Sequence, residues 1–143
     1  MTDTEKLRMA LQRARDGLAA GNDPYGAALF NGDVLVAAEH NRVLATGDPT
    51  AHAEIETIRA AARTATADVL AASVLYTSCE PCPMCIGAIR WVGIRAVVYA
   101  ARDDDYGDVD SRAPKVAHPA ARHLPLDDAD ALLQTAKGRW ENR

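Results

Sequence analysis

The sequence predicts an α/β domain of three layers, α-β-α, built on a mixed central sheet. Apolar residues recur at helical spacing in four separate stretches, short apolar runs of strand length lie between them, and one pair of runs is joined by an Asn-Gly dipeptide. The resulting order is α-β-β-α-β-α-β with a final helix. Strands joined through helices should run parallel, with helices packed on both faces of the sheet. With 143 residues, 48% of them hydrophobic, the chain is long enough for one core and reads as a single domain over 1–143.

The first helix runs from about Thr4 to Ala20, where Leu7, Leu11, Ala14 and Leu18 share a face and Gly21 can end it. "YGAALF" and "DVLVAAEH" follow as an antiparallel pair, turned at Asn31-Gly32 because these residues tolerate positive φ. "TAHAEIETIRAAART" returns to helical spacing through Ile55, Ile58 and Ala62. "SVLYTS" is a short strand, "PCPMCIGAIRWVG" a helix that opens with proline, and "RAVVYAA" the next strand. "LDDADALLQTAKGRW" reads as the last helix, with Ala131, Leu132 and Ala136 on one side.

Composition excludes several functions. The net charge is -4 and no dense Lys/Arg run occurs, so a small-molecule substrate is expected rather than a nucleic-acid backbone, whose binding by a basic face releases counterions. The opening "MTDTEKLRMA" lacks the apolar run of a signal peptide, and no stretch approaches the roughly 18 apolar residues of a membrane span. A cytoplasmic protein without membrane contact is expected. In that compartment thiols stay reduced, and the three cysteines all fall in "TSCEPCPMC", which points to metal binding or redox chemistry rather than a disulfide.

Within that stretch Cys82 and Cys85 are three apart on a helix start, so they share a face with Ile86, Ile89 and Val92. Pro81 ends the strand and Pro83 fits the first turn, where no amide donor is needed. The unpaired amides of a helix N-terminus favour a thiolate, which is the metal-binding form. Two sulfurs need a further ligand, and no second C-x-x-C exists. Of the four histidines, His52 opens the preceding helix and is followed by Glu54, whereas His40, His118 and His123 fall beside loops or strand ends. If both helices start at one edge of the parallel strands, His52, Cys82 and Cys85 converge, leaving a fourth position for water. A thioredoxin-like redox pair is the alternative that C-x-x-C alone allows.

"HAE" followed by "PCPMC" resembles the zinc-dependent cytidine deaminase superfamily, with its H-x-E…P-C-x-x-C signature, over about residues 5 to 102. Within it, "PYGA", "HNRV", "DPTAHAEI" and "LYTSCEPCPMCIGAI" are most similar to bacterial guanine deaminases and related nucleobase deaminases, then to the tRNA adenosine deaminases. The resemblance implies the cytidine deaminase-like fold, one Zn2+ per chain held by His52, Cys82 and Cys85, and hydrolytic deamination with release of ammonia. It makes Glu54 the catalytic proton carrier, taking a proton from water and passing it to the ring nitrogen and the leaving group. It implies that Asn41 hydrogen-bonds the base edge and that the backbone at Ala53 and Glu80 adds polar contacts; a turn role for Asn41 stands beside this. Tyr25 and Trp91 stand where relatives have aromatics that line a flat base, with core packing as the alternative for each. Cys79 is expected to be a small packed residue and no ligand.

The chain departs from these relatives after Arg102. The resemblance implies a homodimer whose C-terminal segment, here 103–143, covers the active site and is often exchanged between subunits, with an acidic residue on the purine; Asp108 and Asp110 are the candidates, with a solvated acidic loop as the alternative reading. Guanine is the expected substrate, with isocytosine, cytosine and triazine-like rings presenting a compatible edge. A tRNA adenosine deaminase is the alternative within the family, and a non-catalytic zinc-binding or redox module the alternative outside it.

Overall fold

The computed structural model describes residues 1–102 and 118–141, with side chains described up to residue 135. The elements are α1 (Asp3–Ala19), β1 (Gly26–Asn31), β2 (Val34–His40), α2 (Val43–Thr46), α3 (Ala53–Ala62), α4 (Ala67–Ala72), β3 (Val74–Thr77), α5 (Pro83–Trp91), β4 (Ala96–Tyr99), β5 (Ala121–His123) and α6 (Asp127–Glu141). One five-stranded sheet runs in the order β2-β1-β3-β4-β5. β1 pairs antiparallel with both β2 and β3, while β3–β4 and β4–β5 are parallel. The mixed sheet and the two helical layers are therefore as expected.

Pleating decides which layer each strand residue meets, since successive side chains point to opposite faces. Phe30, Tyr76 and Val98 pack with Leu7 and Leu11 of α1 and with Ala129 and Leu133 of α6. Leu29, Leu75 and Val97 pack on the other face with Ile58 and Ala61 of α3, Leu70 of α4, and Ile86 and Ile89 of α5. β1 is buried on both faces, which is why "GAALF" reads as a continuous apolar run.

Local signals set the ends of the elements. Thr2 caps α1: its hydroxyl accepts from the Glu5 amide at 3.1 Å, and Glu5 Oε2 accepts from the Thr2 amide at 2.6 Å. Past the other end Gly21 adopts φ 88°. The hairpin differs by one residue from expectation. Asn31 is still paired, with Val34, so the two turn residues are Gly32, at φ 60°, and Asp33. Lys6 fixes this register by donating to the Gly32 carbonyl at 2.7 Å and pairing with Asp33 at 3.1 Å.

Two helical faces also differ from the periodic reading. On α3 the buried residues are Ala53, Glu54, Thr57, Ile58 and Ala61, while Ile55 is half-buried and Ala62 exposed. Thr57 is hidden although polar because its hydroxyl donates to the Ala53 carbonyl one turn back, at 2.7 Å. Among the described side chains of α6 the buried ones are Ala129 and Leu133; Leu132 is half-buried, Ala131 is exposed, and the Ala136 side chain lies outside the described residues. Leu18 is half-buried because Gly17 takes the inward place on α1 against His40.

Asp3 ties α1 to two strands, accepting from the Tyr76 hydroxyl at 2.7 Å and from the Arg122 guanidinium. The tyrosine hydrogen bond, chiefly, holds its carboxyl below the usual carboxylate range, with Arg122 adding to it. A lowered folded-state pKa stabilises the fold above the unfolded value, about 3.9, and that contribution disappears as pH falls through the folded one. Because Asp3 is nearly half exposed, solvent screening reduces the effect to about 1 kcal/mol. Asp3→Asn should therefore lower the thermal midpoint by a few degrees at pH 7, and the gap should narrow as pH falls below about 4. Equal gaps across that range in a melting series would contradict this origin.

Candidate metal centre

α3 and α5 both begin at the edge of the sheet where β1 starts and β3 ends. His52 occupies the N-cap of α3 and Cys82 the N-cap of α5, in nearly the same extended backbone conformation, φ -68° with ψ 156° and φ -68° with ψ 168°. Neither side chain caps its own helix, and Pro83 follows Cys82 at the first helical position, where the missing amide costs no bond. Cys85 lies one turn in and is fully buried. The expectation of two crossover helices opening on one edge is thus met.

His52 Nδ1 lies 3.5 Å from both Cys82 Sγ and Cys85 Sγ. The three ligand atoms fall within 4.8 Å of one another. A tetrahedral ion with Zn–S near 2.3 Å and Zn–N near 2.0 Å would set its nitrogen and sulfur about 3.5 Å apart, so spacing and donor chemistry both fit zinc. The thiol protons behave accordingly. Cys82 is brought down to about 4, first by a hydrogen bond from Cys85 and then by His52, so it carries the thiolate. Cys85 is pushed up because it holds that shared proton and is buried. A cation bound here would displace the remaining proton.

Glu54 stands in the first turn of α3, 7% exposed and within hydrogen-bond reach of Cys85. Burial pushes its carboxyl above the ordinary glutamate value, and the Cys82 thiolate adds to the shift. Ala53, fully buried, occupies the first helical position, whose amide has no acceptor within the helix.

The other expected site residues divide. Asn41 is 4% exposed and its surroundings are fixed: its amide donates to the Tyr25 carbonyl at 3.0 Å, its carbonyl accepts from His40 Nδ1 at 2.8 Å, and its Oδ1 accepts from the Val43 amide at 3.0 Å. Tyr25 is half-buried at the head of β1 and packs against both cores. At Glu80 the amide is committed to the Ala101 carbonyl at 2.7 Å, so a backbone contact from this residue falls to its carbonyl. Trp91 is not brought to the site. It ends α5, at the opposite end from the cysteines, and is 90% exposed rather than packed in the core. Cys79 packs with the α1 face of the sheet, across from the two ligating thiols. Asp108 and Asp110 lie outside the described residues. Sequence reasoning passed over α2, α4, β5 and Asn22; Thr66, which caps α4, was the one available signal.

Fold and site define a three-layer α/β/α protein with a His/Cys/Cys group positioned to bind one metal ion and a buried carboxylate beside it. The family model for the cytidine and deoxycytidylate deaminase zinc-binding region matches residues 1–101, and the chain belongs to that family. The guanine deaminase of Bacillus subtilis is 45% identical over 100 residues, 69% of this chain and 64% of its own length, so the match spans just under two thirds of that relative. The tRNA-specific adenosine deaminase of Aquifex aeolicus is 33% identical over 133 residues, 89% of this chain and 88% of its own. A solved structure of guanine deaminase from Nitrosomonas europaea superposes with a TM-score of 0.81 at 34% identity, covering 93% of this chain and 83% of that one. No helix among the described residues is long and apolar enough to cross a membrane.

Proposed function

We propose that the protein removes the exocyclic amino group of a free nucleobase by hydrolysis, with guanine as the substrate, releasing ammonia. The observation that carries this is the metal-ligand triangle of His52, Cys82 and Cys85, with Glu54 buried within reach of it. His52, Cys82 and Cys85 would hold a zinc ion, which would supply a water of lowered pKa. Glu54 takes a proton from the attacking water as its oxygen bonds the amino-bearing carbon, gives that proton to the adjacent ring nitrogen, and passes the second water proton to the amino group as the C–N bond breaks and ammonia leaves. Burial suits it to this work, since a carboxyl raised toward neutral pH both accepts and returns a proton.

Asn41 orients the ring. An N–H can only donate, so the Val43 amide must face the oxygen of the Asn41 carboxamide, and the side-chain NH2 is the group left for a ligand. It therefore selects an acceptor on the base edge, such as a ring carbonyl. The turn role and the base-binding role considered for Asn41 are thus compatible, one for each end of the carboxamide. Tyr25, at the same edge, offers a flat half-buried ring for stacking.

The guanine reading is supported by two guanine deaminases among the relatives. The tRNA-acting relative covers 89% of this chain against 69% for the Bacillus subtilis guanine deaminase, which keeps RNA in the test. Ammonia release should be measured on guanine, isocytosine, cytosine, adenine, triazines, nucleosides and a tRNA anticodon stem. Turnover of guanine well above the others is expected. Turnover confined to the RNA would overturn the substrate, and none on any compound by the zinc-loaded protein would overturn the activity.

A further inference from the structure

We propose that Asn22, outside every motif of the site, is the positioning residue that holds the substrate-facing carboxamide of Asn41 in place. This rests on the proposed contact between Asn41 and the base. Asn41 is oriented through the Val43 amide, and Val43 is the first residue of α2. That helix has four residues, too few to be stable alone, because nucleation fixes several dihedrals for a single hydrogen bond. Its position must come from tethers.

Asn22 supplies one from a different part of the chain. Its Oδ1 accepts from the Ala45 amide at 3.1 Å, and the residue is 2% exposed. Ala45 is the third residue of α2, whose amide has no acceptor within the helix, so this bond answers an otherwise orphaned donor on an exposed turn from a side chain that is itself buried. Asn22 is itself anchored, donating its own amide to the Gly17 carbonyl at 2.8 Å at the end of α1. Gly17 in turn sits against the His40 ring, so closely that a Cβ there would lie 2.9 Å from His40 Cβ. His40 holds the Asn41 carbonyl. Asn22 and His40 thus carry the rigid end of α1 to Asn41 along two routes, one through the α2 backbone and one through the imidazole. Asn41 is also held by its own amide on the Tyr25 carbonyl at 3.0 Å, and the Arg42 amide on the Ala51 carbonyl at 2.9 Å joins the loop to the residue before His52; neither bond fixes the α2 amides.

Loss of the Asn22 acceptor should therefore loosen base binding and leave the proton chemistry intact. The zinc-loaded protein is assayed on guanine as the parent, Asn22→Leu, Asn22→Asp, Asn41→Ala and the Asn22→Leu/Asn41→Ala double variant. Asn22→Leu, close in size but without an acceptor, should raise KM about tenfold with kcat within about twofold of the parent. Asn22→Asp keeps the acceptor and should stay within about twofold of the parent in KM. In the Asn41→Ala background Asn22→Leu should add nothing, because its effect passes through Asn41. The inference is overturned by an unchanged KM in Asn22→Leu, by an Asn22→Asp form as impaired as the leucine form, or by additive effects in the double variant. If Asn41→Ala leaves KM unchanged, the base contact itself fails and this inference with it. If Asn41→Ala raises KM while Asn22→Leu does not, only this inference fails. Should the leucine form not fold, Asn22→Ala removes the same acceptor and is held to the same outcomes.

Discussion

Glu54→Gln should lower kcat by about a thousandfold or more while the protein still carries about one zinc per chain, because a neutral amide fills the same space but cannot carry the proton. The size follows from the number of proton movements assigned to one group. It accepts from water, donates to the ring and serves the leaving nitrogen, and each positioned acid–base step contributes about 10²- to 10⁴-fold. The ligand triangle does not use the Glu54 side chain, so metal content should not change. Stability should hold or rise. Burial is the main force pushing the Glu54 carboxyl up, which means that the folded state already disfavours its charged form, and glutamine removes that burden. Parallel metal analysis, melting and ammonia release test all three statements. A variant that retained a tenth of parental turnover would remove Glu54 from the proton path; one that lost zinc would make it a ligand-supporting residue instead.

The metal centre was legible because helix starts are written locally. A proline directly after a cysteine, and a histidine just ahead of an apolar period, place two N-caps, and only the assumption of adjacent crossovers was needed to bring them together. What stayed hidden depends on contacts that no local pattern encodes. The inward face of α3 is turned by Thr57, whose hydroxyl bonds its own helix and so passes as apolar. The hairpin turn lies one residue later because Lys6, far away in sequence, grips Gly32 and Asp33. Trp91 shares its helix with the cysteines, and hydrophobicity gives no sign of which end of α5 meets the site. β5 has three residues and is stabilised by pairing beside β4 rather than by its own composition. Asn22 looked like an ordinary loop residue because its partner, Ala45, has no side-chain signal at all.

Gly26→Ala should be the most damaging small substitution in the fold, and Gly87→Ala, the same chemical change, should be harmless or stabilising. At Gly26 an added Cβ would lie 2.1 Å from the Ala10 carbonyl oxygen and 2.4 Å from the Ala14 amide nitrogen, both backbone atoms of α1. No side-chain rotation relieves such a clash, so α1 must lift from β1. That movement is resisted on the strand side too, where the Gly26 amide donates to Ser78 Oγ and its carbonyl accepts from the Ser78 amide, each at 3.0 Å. Lifting α1 also pulls Leu7 and Leu11, both fully buried, away from Phe30 and Tyr76. Overpacking of this kind costs about 3 kcal/mol or more, a large share of the roughly 5–15 kcal/mol that holds a domain together. At Gly87, exposed within α5, an added Cβ meets nothing within 4 Å, and alanine favours a helix interior over glycine by up to about 1 kcal/mol. Urea midpoints of the two variants should therefore move in opposite directions. Because α1 also bears Gly17, on which the Asn22 and His40 contacts to the substrate loop rely, any folded Gly26→Ala protein should bind guanine more weakly as well. A stable Gly26→Ala form with an unchanged midpoint would mean that α1 does not lie as close to the sheet as the structure places it.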